Sequence, residues 1–423
     1  MRFSELFTKT LREDPADEVA VNAKLLIRAG FIHKLHAGVY TYLPLGLRVL
    51  TKIENIAREE MNAIGAVEML MPALHPKEIW EKTGRWDSFD ALFRLQSKTG
   101  SDYALGATHE EALYSVLTHY VASYNDLPVK VYQIQTKFRD EPRAKSGLLR
   151  GREFRMKDCY SFHASSEERD AYYEEVKNAY QKILKRIALP SYITRASGGT
   201  FADQSLEFQT PSLAGEDIIY VCSTCKDAIN KELISKDGVM HCPQCGGARE
   251  QEKAIEVGNI FPLKEKFARD FGLTFKDEKG KERLVAAGCF GFGTSRAMGA
   301  IVETHHDEKG IIWPEEVAPY QIHLIQITNL PDRSPERPFS RSGKAGDKKQ
   351  IINKLYQKFI EAGKEILYDD RKDVSAGEKF ADADLIGIPT RVVISDRTLA
   401  KNAAEVKQRN QINATLVPLE KLR

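Results

Sequence analysis

Two stretches that alternate like strands, separated by a long, basic, glycine-containing loop, constrain this chain most. Residues 129–139 and 153–162 read as the two arms of an antiparallel hairpin. Between Arg139 and Lys157 lie seven basic residues and three acidic ones, although the whole chain carries a net charge of only +2. Polyanion binding therefore has to come from local clusters such as this one. Arg139, at the end of the first arm, can fork onto a phosphate or a carboxylate. Glu141 can accept a hydrogen bond from an adenine amino group, and Phe154 offers a face on which adenine can stack. Arg150 and Arg152 are placed to hold outer phosphates. The set suggests a nucleoside triphosphate site. The Phe-Arg-x-Glu motif alone would be weak, because strand-end arginines usually form structural ion pairs.

A second feature is Gly288-Cys-Phe-Gly-Phe-Gly-Thr-Ser-Arg296. Glycines alternating with aromatic residues on a strand let a ligand lie flat against the backbone. Arg296 then falls in the first turn of a helix expected near Thr294. Glycines at 288, 291 and 293 do not fit the dinucleotide fingerprint, and no Gly-Lys-Ser/Thr is present to make a P-loop.

With 423 residues, 42% of them hydrophobic, the chain can bury the cores of two or three domains. No apolar stretch approaches the roughly 20 residues needed to span a bilayer. The first fifteen residues mix both charge signs without an apolar core, which reads as the start of a cytoplasmic protein. A helix is expected over 18–30. An amphipathic helix over 47–64 is expected to stop at Gly65, and a strand over 66–71 to be halted by Pro72. Residues 103–107 read as extended, with a helix following from Thr108. A surface helix over 167–188 places Tyr173, Val176, Tyr180 and Leu184 on one face. Beyond Pro314 and Pro319, strand and helix alternate, predicting a separate α/β domain. A second, mainly basic run extends from Arg333 to Lys349.

Four of the six cysteines form two pairs, Cys222/Cys225 and Cys242/Cys245, in a C-x2-C-x16-C-x2-C pattern. Each turn can place two thiolates about 2.3 Å from one Zn²⁺ in a closed tetrahedral site. A structural zinc ribbon over 219–250 is therefore expected. Cys159 and Cys289 stand alone, and the combination fits a reducing cytosol better than a disulfide framework.

The helix–strand ending in Pro72, the Phe138-Arg-Asp-Glu hairpin and the 288–296 strand–helix resemble motifs 1, 2 and 3 of class II aminoacyl-tRNA synthetases, in that order. Residues 40–46, 108–111, 132–143, 152–163 and 375–389 are similar to bacterial-type prolyl-tRNA synthetases in particular. The resemblance implies an α/β chain. Its catalytic domain (1–316) would be an α+β unit, an antiparallel sheet flanked by helices and interrupted by the ribbon. An α/β anticodon-binding domain would occupy 317–423. It implies activation of L-proline with ATP and Mg²⁺, transfer to the 3′ end of tRNA(Pro), and a homodimer formed through motif 1. Arg139 and Arg296 would be catalytic, Arg139 bridging the amino-acid carboxylate and the α-phosphate and Arg296 holding the γ-phosphate. Glu256 would approach the metal or phosphates. Thr108 and Glu110 would receive the two N–H donors of proline's ammonium, with His163 and Cys289 lining the same pocket.

Asn259, Lys264-Glu265, Phe290 and Phe292 depart from the family's usual residues. Only about 45 residues separate Leu213 from Gly258, where many bacterial relatives carry a large editing insertion. The ribbon takes up most of them, so no cis-editing domain is expected. Two other readings share the architecture: a class II enzyme for another amino acid such as threonine, and an inactive tRNA-binding regulator. The presence of Arg139 and Arg296 weighs against the regulator, and the Thr108/Glu110 pair weighs against threonine.

Overall fold

The computed structural model describes residues 1–199, 201–234, 241–327 and 344–422. The expected hairpin is its centre. Strands Val129–Phe138 and Glu153–His163 pair antiparallel without a break from Val129↔Phe162 to Phe138↔Glu153. Strand alternation gives the hairpin two faces. One carries Tyr132, Lys157 and Cys159. The other carries Gln133, Lys137, Asp158 and Tyr160.

The first face is covered by helix Ser166–Arg186. Ser165 Oγ caps it by accepting from the Glu168 amide at 3.2 Å, and Glu167 and Glu168 in its first turn suit the positive end of the helix dipole. Tyr172, Val176, Tyr180 and Ile183 are buried against the sheet. Of the four residues expected on the apolar face, Val176, Tyr180 and Leu184 are buried, while Tyr173 is half-buried and its neighbour Tyr172 is buried. Helix Pro44–Ala63 packs beside it and buries Val49, Leu50, Ile53, Ala57 and Met61. Each such side chain contributes roughly 1.5–3 kcal/mol. Pro44 starts this helix at a position that needs no amide donor, and Gly65 at φ 77° turns the chain out of it. The strand expected over 66–71 shortens to Val67–Glu68, which pairs parallel with Val131 and Tyr132 at the sheet edge.

On the hairpin's other side lies Ala286–Phe292, antiparallel to the second arm, and then the long strand Arg249–Leu263. The outer edge of that long strand serves two partners in succession, Asp217–Cys222 and then Gln204–Pro211. Strands Tyr192–Ser197 and Ala228–Asn230 complete a nine-stranded sheet. A bulge leaves Val257 unpaired between Phe208↔Gly258 and Gln209↔Glu256.

The C-terminal sheet has five strands, in the order Ile366–Asp369, Ile322–Ile327, Thr390–Ser395, Ala403–Gln408 and Thr415–Pro418. The first three are parallel, as the strand–helix alternation predicts. The last two are antiparallel additions that the sequence reading did not include. Leu324, Ile352, Phe359, Tyr368 and Ile394 form a core of their own. The two sheets are tied by Trp313 Nε1 donating to Ile386 O at 3.0 Å and by Arg409 bound to both oxygens of Asp307 at 2.8 and 2.6 Å. The basic run from Arg333 falls largely outside the described residues. Among the described residues no helix is long and apolar enough to cross a membrane.

Candidate active site

A cleft of about 250 Å³ opens where the hairpin loop faces the long strand. Arg139, Glu141, Arg150, Phe154, Glu256 and Arg296 line it, with Glu216 and Asp217 opposite. The Arg139 guanidinium lies 5.2 Å from the centre of the Phe154 ring. Arg296, in the first turn of helix Thr294–Thr304, donates through Nη1 to Glu256 O at 2.7 Å and lies 3.3 Å from Glu256 Oε2; its Nε donates to Leu149 O at 2.9 Å. The bulge at Val257 re-aims the long strand here, which is how Glu256 comes to face Arg296.

Six of the seven residues expected to hold the nucleotide thus share one cleft. Arg150 is already engaged, with Nε 2.8 Å from Glu141 Oε2 and Nη1 bonded to Glu216. Burial would raise Glu141, but hydrogen bonds from Arg150 and the Arg143 amide, with the charges of Arg150 and Arg139, together outweigh it and hold the carboxyl below its usual range. Arg152 is the exception. Its guanidinium turns away, donating to Glu141 O and Ala37 O at 3.0 Å each, because its own backbone pairs with Gly38 and Arg139. It buttresses the loop from outside.

On the glycine strand Gly291 pairs with Asp158 and shares the sheet face of Cys289; a side chain there would meet Met156 Sδ at 3.7 Å, an ordinary contact, so the position is not tightly closed. Gly288, by contrast, has no room for a Cβ, which would lie 2.4 Å from the Phe290 ring. Below the cleft Glu207 accepts from Gln209 Nε2 at 2.9 Å and Asn230 Nδ2 at 3.1 Å. Burial and the neighbouring Glu256 push Glu207 up to about 8. Glu207, Asp217 and Glu256 make a carboxylate group, and the buried Asn259 Oδ1 beside it has no protein partner among the described residues. Glu256, on the cleft wall and linked to Asn259 Nδ2 at 3.0 Å, is the carboxylate of the three placed to meet a divalent cation carried on phosphate oxygens.

Beside Arg139, whose Nε donates to Ala107 O at 3.4 Å, a second set of residues makes up the candidate amino-acid pocket. Thr108 Oγ1 donates to Glu110 Oε2, and Cys289 Sγ lies 3.2 Å from Glu110 Oε1. Tyr160 stands directly across the sheet from Cys289. Charges from both regions reach Arg139: Arg296 and Glu256 from the cleft, Glu110 and Arg85 from the pocket.

His163 does not join this pocket. It belongs to the opposite parity of its strand, on the helix face, with its ring 5.7 Å from Tyr172. Alternation already separates 163 from Tyr160, so this signal was present in the sequence. Burial pushes His163 down to about 4, and Nε2 is buried without a partner. Cys159 sits fully buried on that same face, its thiol raised to about 11 by burial, which agrees with a packing role.

The sequence reading also missed what supports the pocket. Lys137 Nζ lies 2.7 Å from Asp158 Oδ1 and 2.6 Å from His109 Nδ1, with both lysine and histidine wholly buried. Asp158 Oδ2 accepts from Tyr160 OH at 2.9 Å and from Gln133 Nε2 at 3.0 Å. Burial and Lys137 push His109 down to about 3, so the ring is neutral. Its Nδ1 accepts from the lysine, and Nε2 donates to Pro72 O at 3.0 Å. This network sets His109, and with it Thr108 and Glu110. Arg85, from a segment with no motif, reaches Glu111 and Glu110 from the other side.

The two cysteine pairs converge. Cys222 and Cys245 sulfurs are 3.4 Å apart, Cys225 and Cys242 sulfurs 3.6 Å, and all four lie within 4.8 Å of one another. Four thiols at that spacing fit a single tetrahedral zinc ion. Asp227, bonded to Arg249 and to Arg195 at 3.0 Å, braces the base of the turns.

A family model described as the tRNA synthetase class II core domain (G, H, P, S and T) matches residues 93–305, and one described as an anticodon binding domain matches 338–423. The chain is 32% identical to the proline–tRNA ligase of Moorella thermoacetica, over 100% of this chain and 97% of that one. It is also 32% identical to the proline–tRNA ligase of Thermotoga maritima, over 100% and 98%. The Moorella alignment runs over 572 positions against 423 residues here, so about 150 positions of that relative have no counterpart. Among solved structures, a Giardia lamblia prolyl-tRNA synthetase in complex with prolyl-adenylate superposes with a TM-score of 0.77 at 19% identity, covering 94% of this chain and 74% of that one. A Cryptosporidium parvum prolyl-tRNA synthetase complexed with L-proline and AMP gives 0.74 at 19% identity, covering 95% and 75%.

Proposed function

This chain belongs to the proline–tRNA ligase family of class II aminoacyl-tRNA synthetases, and on that footing we propose that the cleft takes ATP, the adjoining pocket takes L-proline, and Arg139 joins them. The family's reaction is attack of the proline carboxylate on the α-phosphate of ATP, followed by transfer of the prolyl group to the 3′ end of tRNA(Pro). Neither step needs a protein nucleophile, so positioning and charge neutralisation carry the catalysis.

Phe154 receives the adenine ring, and Glu141 accepts from its amino group. Arg296 holds the γ-phosphate, and Arg150 exchanges a carboxylate partner for the outer phosphates. Glu110 and the Thr108 hydroxyl accept the two N–H donors of proline's ammonium, while Cys289 and Tyr160 wall the ring. Arg152 and His163 are given no substrate contact. Glu256, with Glu207 and Asp217 behind it, is the group suited to Mg²⁺, which neutralises phosphate charge when bound. Structural zinc at Cys222, Cys225, Cys242 and Cys245 staples the ends of the two strands that bring Asp217 and Glu256 to the cleft.

The catalytic domain is taken as 1–316, with the ribbon at 219–250, and the anticodon-binding domain as 317–423, a division that the two separate sheets support. The exposed Val67 and Leu70 beside the short edge strand, with nearby Leu74, supply an apolar surface for a homodimer partner. Substrates of this kind place the chain in the cytoplasm. The described residues between Pro211 and Arg249 form two short strands and the cysteine turns, which supports the reading that no cis-editing domain is inserted here.

The observation that carries the proposal is Arg139's position, lining the cleft with Glu256 and Arg296 while its Nε donates to Ala107 O, next to Thr108, at 3.4 Å. Replacing it, Arg139→Ala, is expected to abolish ATP–pyrophosphate exchange while tRNA binding persists. Near-normal exchange would remove Arg139 from the mechanism.

A further inference from the structure

Glu110 and Glu111 follow one another at the start of helix Glu110–Leu117, and both are buried, at 1% and 0% exposure. One guanidinium reaches the pair. Arg85 Nη1 is 2.8 Å from Glu111 Oε1 and 3.6 Å from Glu110 Oε2. The first distance is a hydrogen bond and the second is an ion-pair approach without one. Glu111 Oε1 also accepts from Thr83 Oγ1 at 3.0 Å, while its Oε2 is buried without a partner among the described residues. Glu110 is contacted by two uncharged donors, the Thr108 hydroxyl and the Cys289 thiol.

Arg85 is held in an aromatic box. Its guanidinium lies 5.3 Å from the Trp80 ring centre, 4.8 Å from Phe89, 5.2 Å from Phe201 and 5.6 Å from Phe267. These rings come from separate parts of the chain, and each cation–π contact adds about 0.5–2 kcal/mol. The box keeps the guanidinium on Glu111.

Among the described residues Arg85 is the one cation in direct contact with either carboxylate, while Arg139 and Lys137 act on Glu110 from farther off. A buried charge without a partner is expensive and tends to take up a proton. Consistent with that, burial pushes Glu111 up to about 7 against the pull of Arg85. The secondary ammonium of a bound amino acid supplies a cationic donor on the side of Glu110, whose present donors are neutral.

We propose that Arg85 is a positioning residue for amino-acid recognition: committed to Glu111 inside the aromatic box, it leaves the Glu110 carboxyl oxygens available to the substrate ammonium. The inference rests on the reading of the Thr108–Glu110–Cys289 pocket as the proline site. It makes the balance of charge between Arg85 and Glu111, rather than Arg85 alone, the quantity that matters.

The test is a charge-balance cycle in ATP–pyrophosphate exchange, with KM for proline and for ATP measured on the full chain. Arg85→Met is expected to raise KM for proline roughly 10- to 100-fold, as loss of a charged hydrogen bond does, with KM for ATP within about twofold of the parent. Glu111→Gln is expected to raise it too, because Arg85 then turns to Glu110 and competes with substrate. The double variant restores one net negative charge and is expected to recover to within about fivefold of the parent, which a packing role does not foresee. Arg85→Lys keeps the charge and should stay within about threefold, a comparison that holds even if Arg85→Met fails to fold. A double variant as poor as the worse single, a tenfold loss in Arg85→Lys, or parallel rises in both KM values would overturn the proposal. A parent chain that exchanges with no proline would instead remove the proline reading, and this inference with it.

Discussion

Lys137→Met removes the cation from the most deeply buried ion pair beneath the pocket. Lys137 is 0% and Asp158 3% exposed, 2.7 Å apart, with His109, Gln133 and Tyr160 completing the network. Methionine has similar length, so the change removes charge and hydrogen bonds more than volume. Breaking a buried pair from one side costs about 3–5 kcal/mol, because the remaining charge is left uncompensated. The pH dependence then has a definite sign. In the parent, burial would raise Asp158, but Lys137 and His109 outweigh it and hold the carboxyl below its usual range. Its contribution is therefore present above a pH of about 4 and is lost only as pH falls through the depressed value. In the variant only the neutral Gln133 and Tyr160 hydrogen bonds oppose burial, the largest influence on this carboxyl, so the folded-state value is expected to rise above the unfolded one. Stability is then highest when Asp158 is protonated and falls as pH rises, by at most about 1.4 kcal/mol per pH unit. Urea unfolding of parent and variant, followed by tryptophan fluorescence at pH 7.5 and pH 5, measures this. The expected deficit is about 3–5 kcal/mol at pH 7.5 and clearly smaller at pH 5. It should be largely recovered in Lys137→Met/Asp158→Asn. A deficit below about 1 kcal/mol at pH 7.5, the size of an exposed pair, would refute the reasoning. So would one that grows on acidification.

Two further outcomes follow from the same structure. Metal analysis of the reduced protein is expected to find one zinc per chain. Cys225→Ser/Cys242→Ser should lose that zinc, lower the melting temperature and raise KM for ATP through the strands carrying Asp217 and Glu256; a metal-free parent would refute the site. The purified protein is expected to leave Ala-tRNA(Pro) intact, because the described residues between Pro211 and Arg249 form only short strands and cysteine turns, with no separate unit to hydrolyse an alanine that pocket shape alone excludes poorly. Release of free alanine would contradict that.

Much of this was legible in the sequence wherever one local rule sufficed. The hairpin over 129–163 follows from period-two patterning, the helix stop at Gly65 from a residue that accepts positive φ, and the four-cysteine cluster from its spacing. The nucleotide cleft followed from guanidinium chemistry at Arg139 and Arg296. What escaped depended on partners far apart in the chain. Arg152 looks equivalent to Arg150 along the loop, and only the pairing of its backbone with Gly38 shows that its side chain must face away. His163 was drawn toward the pocket by resemblance, although strand parity already put it on the helix face. Lys137 and Asp158 are charged residues in strands, and nothing local distinguishes a buried pair from two exposed charges. Arg85 meets Glu111 only because a helix, two loops and four aromatic rings converge on it. The strands Ala403–Gln408 and Thr415–Pro418 are mixed in polarity and short, so they carry little pattern of their own and form on the edge of the parallel sheet already in place.

The central claim is that one arginine joins an ATP cleft to a pocket shaped for a secondary ammonium. ATP–pyrophosphate exchange across a panel of the twenty amino acids tests it most directly. The account expects strong exchange with proline, at most weak exchange with alanine, and none with threonine. Exchange confined to threonine, or with no amino acid at all, would contradict it.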